Sequence, residues 1–94
     1  MDGDKHDKGK LRLELIPPEA IEMLGEIYTY GAQKYGEGNW TKGFQPGRLI
    51  AAARRHDIAL AKGEINDPDS GLPHAAHAAW NYLTDEILRR REGE

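Results

Sequence analysis

The sequence predicts an all-α fold, a small bundle of three main helices preceded by an extended N-terminal strap. Three long segments carry apolar residues at the three-and-four spacing of a helix, and each is bounded by proline or glycine. Alternation with a period of two, which is typical of a strand, is confined to residues 11–15. One strand cannot form a sheet, so we expect the helices to supply the core.

The N-terminal part of the chain has two different patterns. Residues 1–10 are rich in Asp, Lys and Gly, and we expect a flexible polar lead to a single helical domain over residues 11–92. Leu11, Leu13 and Leu15 then alternate with polar residues. This alternation predicts a strap that lies on the helices or pairs with a second subunit.

The first helix is predicted from Pro18 to about Lys34. Proline at the first helical position loses no useful hydrogen-bond donor, and Glu19 beside it complements the helix dipole. One face of this helix carries Ile21, Leu24, Tyr28, Gly31 and Tyr35.

Two further helices follow. Pro46 is predicted to open the second helix, which runs to about Lys62, where Gly63 ends it as a left-handed cap. A turn dense in Asn, Asp, Pro, Ser and Gly separates it from the third helix. The third helix is predicted from Pro73 to about Arg90.

Size and composition limit the classes of function. A chain of 94 residues makes one small domain, which buries roughly 60 to 65% of its unfolded surface, so we expect a homo-oligomer. A net charge of −3 argues against a duplex nucleic-acid partner. No apolar run approaches the ~18 residues of a membrane span, and the first residues lack the apolar core of a signal peptide. We therefore expect a cytoplasmic protein without a membrane partner. The absence of cysteine excludes disulfides and thiolate metal sites.

The third helix has a polar stripe that a hydrophobic core does not explain. His74, His77 and Asn81 fall on one side of it at positions i, i+3 and i+7. Its other side is apolar and is predicted to be buried. That apolar stripe consists of Ala76, Trp80, Leu83 and Ile87.

His56 lies on the apolar face of the second helix. A single histidine in that position is usually a core residue with a satisfied hydrogen bond. Packing of the three helices would also bring it towards His74 or His77, and three imidazoles would form the floor of a pocket. Neutral imidazole binds divalent metals and hydrogen-bonds bases and phosphates.

Cationic and aromatic residues indicate a site for a nucleotide. Arg48 and Arg55 share a stripe of the second helix, which is either a solvated face or a clamp for phosphate, since guanidinium makes bidentate contacts to phosphate oxygens. Trp40, on a glycine-rich loop, either stacks on a base or fills the core. Phe44 on the same loop is predicted to plug the core.

The turn between the second and third helices is a candidate metal site. Glu64, Asp67 and Asp69 offer the oxygen ligands that Mg²⁺ or Mn²⁺ prefers. Acidic residues are also common in turns without a metal. Asp69 or Ser70 is alternatively a cap for the third helix.

Several blocks of the sequence together resemble a known family. They are Lys10-Leu11-Arg12-Leu13-Glu14-Leu15-Ile16-Pro17-Pro18-Glu19-Ala20, Tyr30-Gly31-Ala32-Gln33-Lys34-Tyr35-Gly36, Asn39-Trp40, Arg55-His56, Gly63-Glu64 and Ser70-Gly71-Leu72-Pro73-His74 with His77 and Asn81. Over roughly residues 8 to 88 the chain resembles the phage-associated dATP/dGTP diphosphohydrolase N-terminal domain family. The resemblance implies a small helical phage or prophage protein of a bacterial host that acts on purine nucleotides.

The same resemblance places the chain near the all-α MazG-like pyrophosphohydrolases, which split a nucleoside triphosphate into monophosphate and pyrophosphate. Those enzymes hold magnesium on paired helical carboxylates, whereas the third helix here offers histidines and an asparagine. We predict that His56 and His77 are catalytic and that the metal ligands are Glu64, Asp67 and Asp69. The predicted nucleotide-binding residues are Lys10, Arg12, Trp40, Arg48, Arg55, His74 and Asn81.

Three functions remain open at the level of sequence. The first is a purine nucleotide pyrophosphohydrolase that acts on dATP or dGTP with Mg²⁺ or Mn²⁺. The second is a non-catalytic phage sponge, which sequesters a nucleotide immune signal and needs no metal. The third is a structural oligomerisation domain, in which the polar stripe is buried at a subunit interface.

Overall fold

The computed structural model describes residues 8–93, which form three α-helices and two short 3-10 turns. Helix α1 is Pro18–Tyr35, α2 is Arg48–Ala61 and α3 is His74–Glu92. The 3-10 turns are Leu13–Leu15 and Asn39–Lys42. No strand occurs among the described residues, which confirms the all-α prediction. Most of the predicted polar lead, residues 1–7, lies outside the described residues.

The helix boundaries follow proline and glycine. Helix α1 begins at Pro18, as predicted. Helix α2 begins at Arg48 rather than Pro46, because Gly47 adopts a left-handed conformation with φ of 81° that no α-helix contains. At its other end, Gly63 has a φ of 97° and follows the last turn, as predicted.

The N-terminal leucines do not form an extended strap. The backbone N–H of Leu15 donates to the carbonyl of Arg12 at 3.2 Å, and that of Ile16 donates to Leu13 at 3.1 Å. Leu11, Leu13 and Leu15 are 86%, 66% and 66% exposed. The extended conformation was wrong for Leu13–Leu15, because among the described residues no strand satisfies their backbone groups, which pair locally instead.

Small side chains let α2 and α3 pack closely. Ala53 is fully buried on α2, and Ala76 and Ala78 are buried on α3. Helix α1 contributes Ile27 to this core and contacts α3 far less extensively than α2 does. The core is therefore thin, and most of its area lies along the α2–α3 seam.

The burial of α3 differs from the prediction. Leu83, in the predicted apolar stripe, is 48% exposed. The polar stripe is buried as well as Ala76, since His74, His77 and Asn81 are only 5%, 9% and 6% exposed. Hydrogen bonds to the preceding turn and to the backbone satisfy these groups and offset the free-energy cost of burying them.

The three helices leave an open shape. The radius of gyration is 16.2 Å, compared with roughly 12 Å for a compact domain of this length. Large apolar side chains of the N-terminal turn and of α1, such as Ile21 at 61% exposure, stay uncovered. Within residues 8–93, no helix is both long and apolar enough to cross a membrane.

Ala53 tests the close packing of α2. Replacing it with leucine forces a larger side chain into a fully buried position, and we expect a loss of about 1–3 kcal/mol in the free energy of unfolding. Ala51→Leu is the matched control, because Ala51 is exposed on the same helix. Urea denaturation of both variants measures the difference, and equal stabilities would contradict the packing described here.

Candidate functional site

A pocket of about 640 Å³ opens between α1, the glycine-rich loop after it and the α2–α3 pair. This volume lies in the usual range for small-molecule sites. Its lining contains three kinds of side chain: aromatic rings, cationic groups, and a cluster of imidazoles with carboxylates. They include Tyr28, Trp40, Phe44 and Trp80, then Lys34, Arg48 and Arg55, and finally His56, Asp67, Asp69 and His77.

The turn between α2 and α3 positions the carboxylate of the cluster. It closes on itself, since the N–H of Asp67 donates to the carbonyl of Leu72 at 2.8 Å and the N–H of His74 donates to that of Ile65 at 2.9 Å. Oδ1 of Asp67 accepts the N–H of Asp69 at 2.8 Å. The other oxygen, Oδ2, faces the histidines.

Three histidines from two helices meet at this point. The rings of His56 and His77 stack with centroids 4.6 Å apart and planes 7° from parallel. Nδ1 of His56 lies 2.8 Å from Nδ1 of His74. Oδ2 of Asp67 lies 3.9 Å from Nδ1 of His56 and 3.9 Å from Nε2 of His77. The predicted approach of His56 to the third helix is therefore present.

A chain of hydrogen bonds sets the orientation of His56. Oε1 of Glu64 lies 2.7 Å from Nε2 of His74, and a carboxylate only accepts, so this nitrogen carries the proton. In the neutral ring, Nδ1 of His74 then accepts, and His56 donates from its own Nδ1. This leaves the lone pair of His56 on Nε2.

His77 is held by two neighbours. A hydrogen bond of 2.7 Å joins its Nε2 to Oγ of Ser70, which also accepts the N–H of Leu72 at 3.1 Å. Tyr30 packs edge-on against the imidazole, with centroids 5.9 Å apart. Ser70 therefore orients His77, and the alternative that it caps α3 is wrong because the cap residue, Pro73, has no side-chain cap bond.

Burial controls the charge of the two stacked histidines. It lowers the pKa of both His56 and His77, and the carboxylate of Asp67 offsets only part of this effect. Both rings are therefore neutral near pH 7, and each has one nitrogen lone pair.

Asp67 remains ionised beside these rings. Burial raises the pKa of this carboxyl, but the N–H of Asp69 and the three neighbouring imidazoles lower it by more, so the net pKa falls below its ordinary value. The cluster thus combines neutral nitrogen donors with one anionic oxygen donor.

The aromatic wall is built around Trp40. Tyr28 packs edge-on against both tryptophans, 6.1 Å from Trp40 and 6.0 Å from Trp80. The guanidinium of Arg91 lies over the Trp40 ring at 5.0 Å from its centroid. Phe44 is 42% exposed and lines the pocket, so the prediction that it plugs the core was wrong.

The pocket brings together most, but not all, of the predicted site residues. Those that line it are Trp40, Arg48, Arg55, His56, Asp67, Asp69, His77 and Asn81. His74 is buried behind His56. Glu64 contacts His74, so it is separated from the other two predicted metal ligands, Asp67 and Asp69. Lys10 and Arg12 are exposed outside the pocket, with Arg12 paired to Glu14 at 3.7 Å. The roles of all these residues remain predictions.

Sequence reasoning missed three residues around the pocket. Lys34 and Tyr30 line it, and Nζ of Lys34 donates to the Tyr30 hydroxyl at 3.3 Å, which raises the pKa of the lysine. Their spacing of four residues on α1 could have indicated the pair, because side chains four positions apart are neighbours on a helix. Ser70 is the third, and only the closed turn shows that it reaches His77.

The stacked histidines predict a pH-dependent stability. Because the pKa of His56 and of His77 is lower in the folded chain than the unfolded value of about 6.5, protonation favours unfolding. Stability is full above that value and falls as the pH is lowered through it. Thermal unfolding with a chelator present should give a lower Tm at pH 5 than at pH 7.5. A His56→Gln/His77→Gln variant should show a smaller difference, and an unchanged difference would contradict the assignment.

Comparison with known proteins agrees with the sequence resemblance. The family described as "dATP/dGTP diphosphohydrolase, N-terminal" matches residues 1–93. A protein of Salmonella phage PMBT28 named dATP/dGTP diphosphohydrolase is 44% identical over 83 residues. That match covers 88% of this chain but 28% of the relative. No solved structure is significantly similar. The chain therefore belongs to the dATP/dGTP diphosphohydrolase N-terminal family.

Proposed function

We propose that this domain binds a purine deoxynucleoside triphosphate in the pocket and hydrolyses it, as a phage enzyme, to monophosphate and pyrophosphate. The observation that carries the proposal is the meeting of aromatic, cationic and imidazole–carboxylate groups around one cavity of about 640 Å³. These are the groups that a base, a triphosphate and an attacking water require. The name of the phage relative supports dATP and dGTP as the substrates.

The cationic wall is suited to the triphosphate. Arg48 and Arg55 both line the pocket from α2, and within residues 8–93 neither forms an ion pair with a carboxylate. Their guanidinium groups are therefore available for bidentate contacts to phosphate oxygens. Lys34 adds a third positive charge to the lining, from α1.

The aromatic wall is suited to the base. Trp40 has one face under the Arg91 guanidinium, so a purine stacks on its other face or displaces the arginine. Asn81 lines the same cavity and uses its Nδ2 to donate to the carbonyl of His77 at 2.8 Å. Its Oδ1 is the acceptor that would read an exocyclic amine or a ring N–H of the purine.

The imidazole–carboxylate cluster is suited to the chemistry. Water attacks the α-phosphorus, the bond from that phosphorus to the bridging oxygen breaks, and pyrophosphate leaves. His56 and His77 accept the proton of the water or orient it, because both are neutral near pH 7. A divalent ion such as Mg²⁺ or Mn²⁺, when bound, offsets phosphate charge, and Asp67 and Asp69 supply carboxylates on the pocket wall.

Sequestration without hydrolysis is the second candidate. The observation in its favour is the small number of carboxylates: among the described residues that line the pocket, only Asp67 and Asp69 are acidic. A sponge for a nucleotide signal needs the arginines, the aromatic rings and Asn81, but no metal. Homo-oligomerisation, which the exposed Leu11, Leu13 and Ile21 favour, is compatible with either candidate.

One assay distinguishes these candidates. The protein is incubated with dATP, dGTP and a panel of linear and cyclic nucleotides, with Mg²⁺ or Mn²⁺, and the mixture is chromatographed before and after heat denaturation. Monophosphate with pyrophosphate is the expected result. Intact nucleotide that is recovered only after heating would show that the protein sequesters the nucleotide and does not hydrolyse it. No binding at all would leave a structural oligomerisation domain.

Arg55 provides a matched test of the phosphate wall. Arg55→Gln removes a charged contact and should weaken dGTP binding at least about 10-fold by calorimetry. Arg54→Gln is the control, because Arg54 is the adjacent residue on α2 and does not line the pocket. Equal affinities of the two variants would exclude the proposed clamp.

A further inference from the structure

We propose that His56, Asp67 and His77 form a binding site for a first-row transition metal ion, which the site takes in preference to Mg²⁺. One ligand atom from each of the three lies within 4.8 Å of the others. All three side chains line the pocket, from α2, the following turn and α3. The site does not require hydrolysis, since a sequestering pocket would hold the same ion. With the ion bound, His56 and His77 would orient the attacking water through it and would not accept the proton of that water.

The donor atoms of the three side chains face one another. The imidazoles of His56 and His77 are largely buried, and their stacked rings have centroids 4.6 Å apart. Oδ2 of Asp67 lies 3.9 Å from Nδ1 of His56 and 3.9 Å from Nε2 of His77. Its Oδ1 is fixed by the N–H of Asp69, which leaves Oδ2 as the ligand atom.

The residues behind the site have the arrangement typical of metal-bound histidine. Such a histidine donates its second ring N–H to an acceptor that fixes its tautomer and its orientation. Here His56 donates from Nδ1 to His74, which in turn donates to Glu64. This chain assigns Nε2 of His56 to the metal. It also gives Glu64, predicted as a direct ligand, a positioning role.

Small movements complete the coordination. Bonds of about 2.1 Å place tetrahedral ligand atoms about 3.4 Å apart, so the 3.9 Å between Oδ2 of Asp67 and Nε2 of His77 shortens by about half an ångström, and this nitrogen exchanges its hydrogen bond with Ser70 for the ion. The His56 ring tilts about χ2, a soft torsion in histidine, because the nitrogen that lies 3.9 Å from Oδ2 is its Nδ1 rather than Nε2. Three protein ligands leave a position for water or a phosphate oxygen.

The donor types determine which ion is preferred. Mg²⁺ binds oxygen ligands and retains its waters, and this cluster offers it one carboxylate. Two imidazoles with one carboxylate suit Zn²⁺, Co²⁺ or Mn²⁺. We therefore expect tight binding of Zn²⁺ and Co²⁺, with Mn²⁺ weaker and Mg²⁺ weakest.

Calorimetry on the metal-stripped chain tests the site without any nucleotide. Zn²⁺ should bind with one ion per chain, and Mg²⁺ at least about 100-fold more weakly. Asp67→Asn should weaken Zn²⁺ binding by at least about 100-fold, while Asp57→Asn, the matched control, should bind as the wild type does, because Asp57 is exposed on α2 and does not line the pocket. Equal losses in both variants, or equal affinity for Zn²⁺ and Mg²⁺, would overturn the proposal.

A second measurement needs no variant. Zn²⁺ added to the wild-type chain should shift the ring proton resonances of His56 and His77 together in NMR spectra, at one ion per chain. Shifts confined to surface carboxylates would reject the site. Zn²⁺ binding without nucleotide turnover would support the metal site and contradict the proposed hydrolysis. Nucleotide turnover in a chain that binds no transition metal would support hydrolysis and contradict the metal site.

Discussion

The hydrogen bonds from Glu64 through His74 to His56 are the constraint on which the rest of the structure depends. They allow α3 to bury a polar face against α2, where small alanines let the two helices approach. A buried imidazole without partners would cost free energy, and the closed turn between the helices supplies those partners. The arrangement stabilises the seam and at the same time presents His56 to the pocket.

Much of the fold was predictable because local signals decided it. Pro18 and Gly63 mark the boundaries where they were expected, and the three-and-four spacing of apolar residues identified the helices. The predicted extended strap was wrong for Leu13–Leu15, which form a 3-10 turn, because alternation of apolar and polar residues indicates a strand only where a neighbouring strand exists. The predicted burial of Leu83 was wrong because the sequence does not show that the polar stripe of α3 has partners in the preceding turn.

The candidate site was predictable in composition but not in geometry. The histidines, the arginines and Trp40 were recognisable by residue type, and they do line one pocket or stand directly behind it. The sequence did not show that the acidic residues of the turn contact different histidines. Glu64 and Asp67 lie three positions apart on a turn that closes by backbone hydrogen bonds, and this closure sends one towards His74 and the other towards His56 and His77.

The central claim is that the buried polar face of α3 forms one wall of a nucleotide pocket. A titration of the isotope-labelled chain with dGTP, followed by amide and side-chain NMR resonances, tests it most directly. The account predicts saturable shifts at Asn81 and at the indole N–H of Trp40, with no change at Ile21 on the exposed face of α1. Shifts restricted to Ile21 and its neighbours, or no shifts at millimolar dGTP, would contradict it.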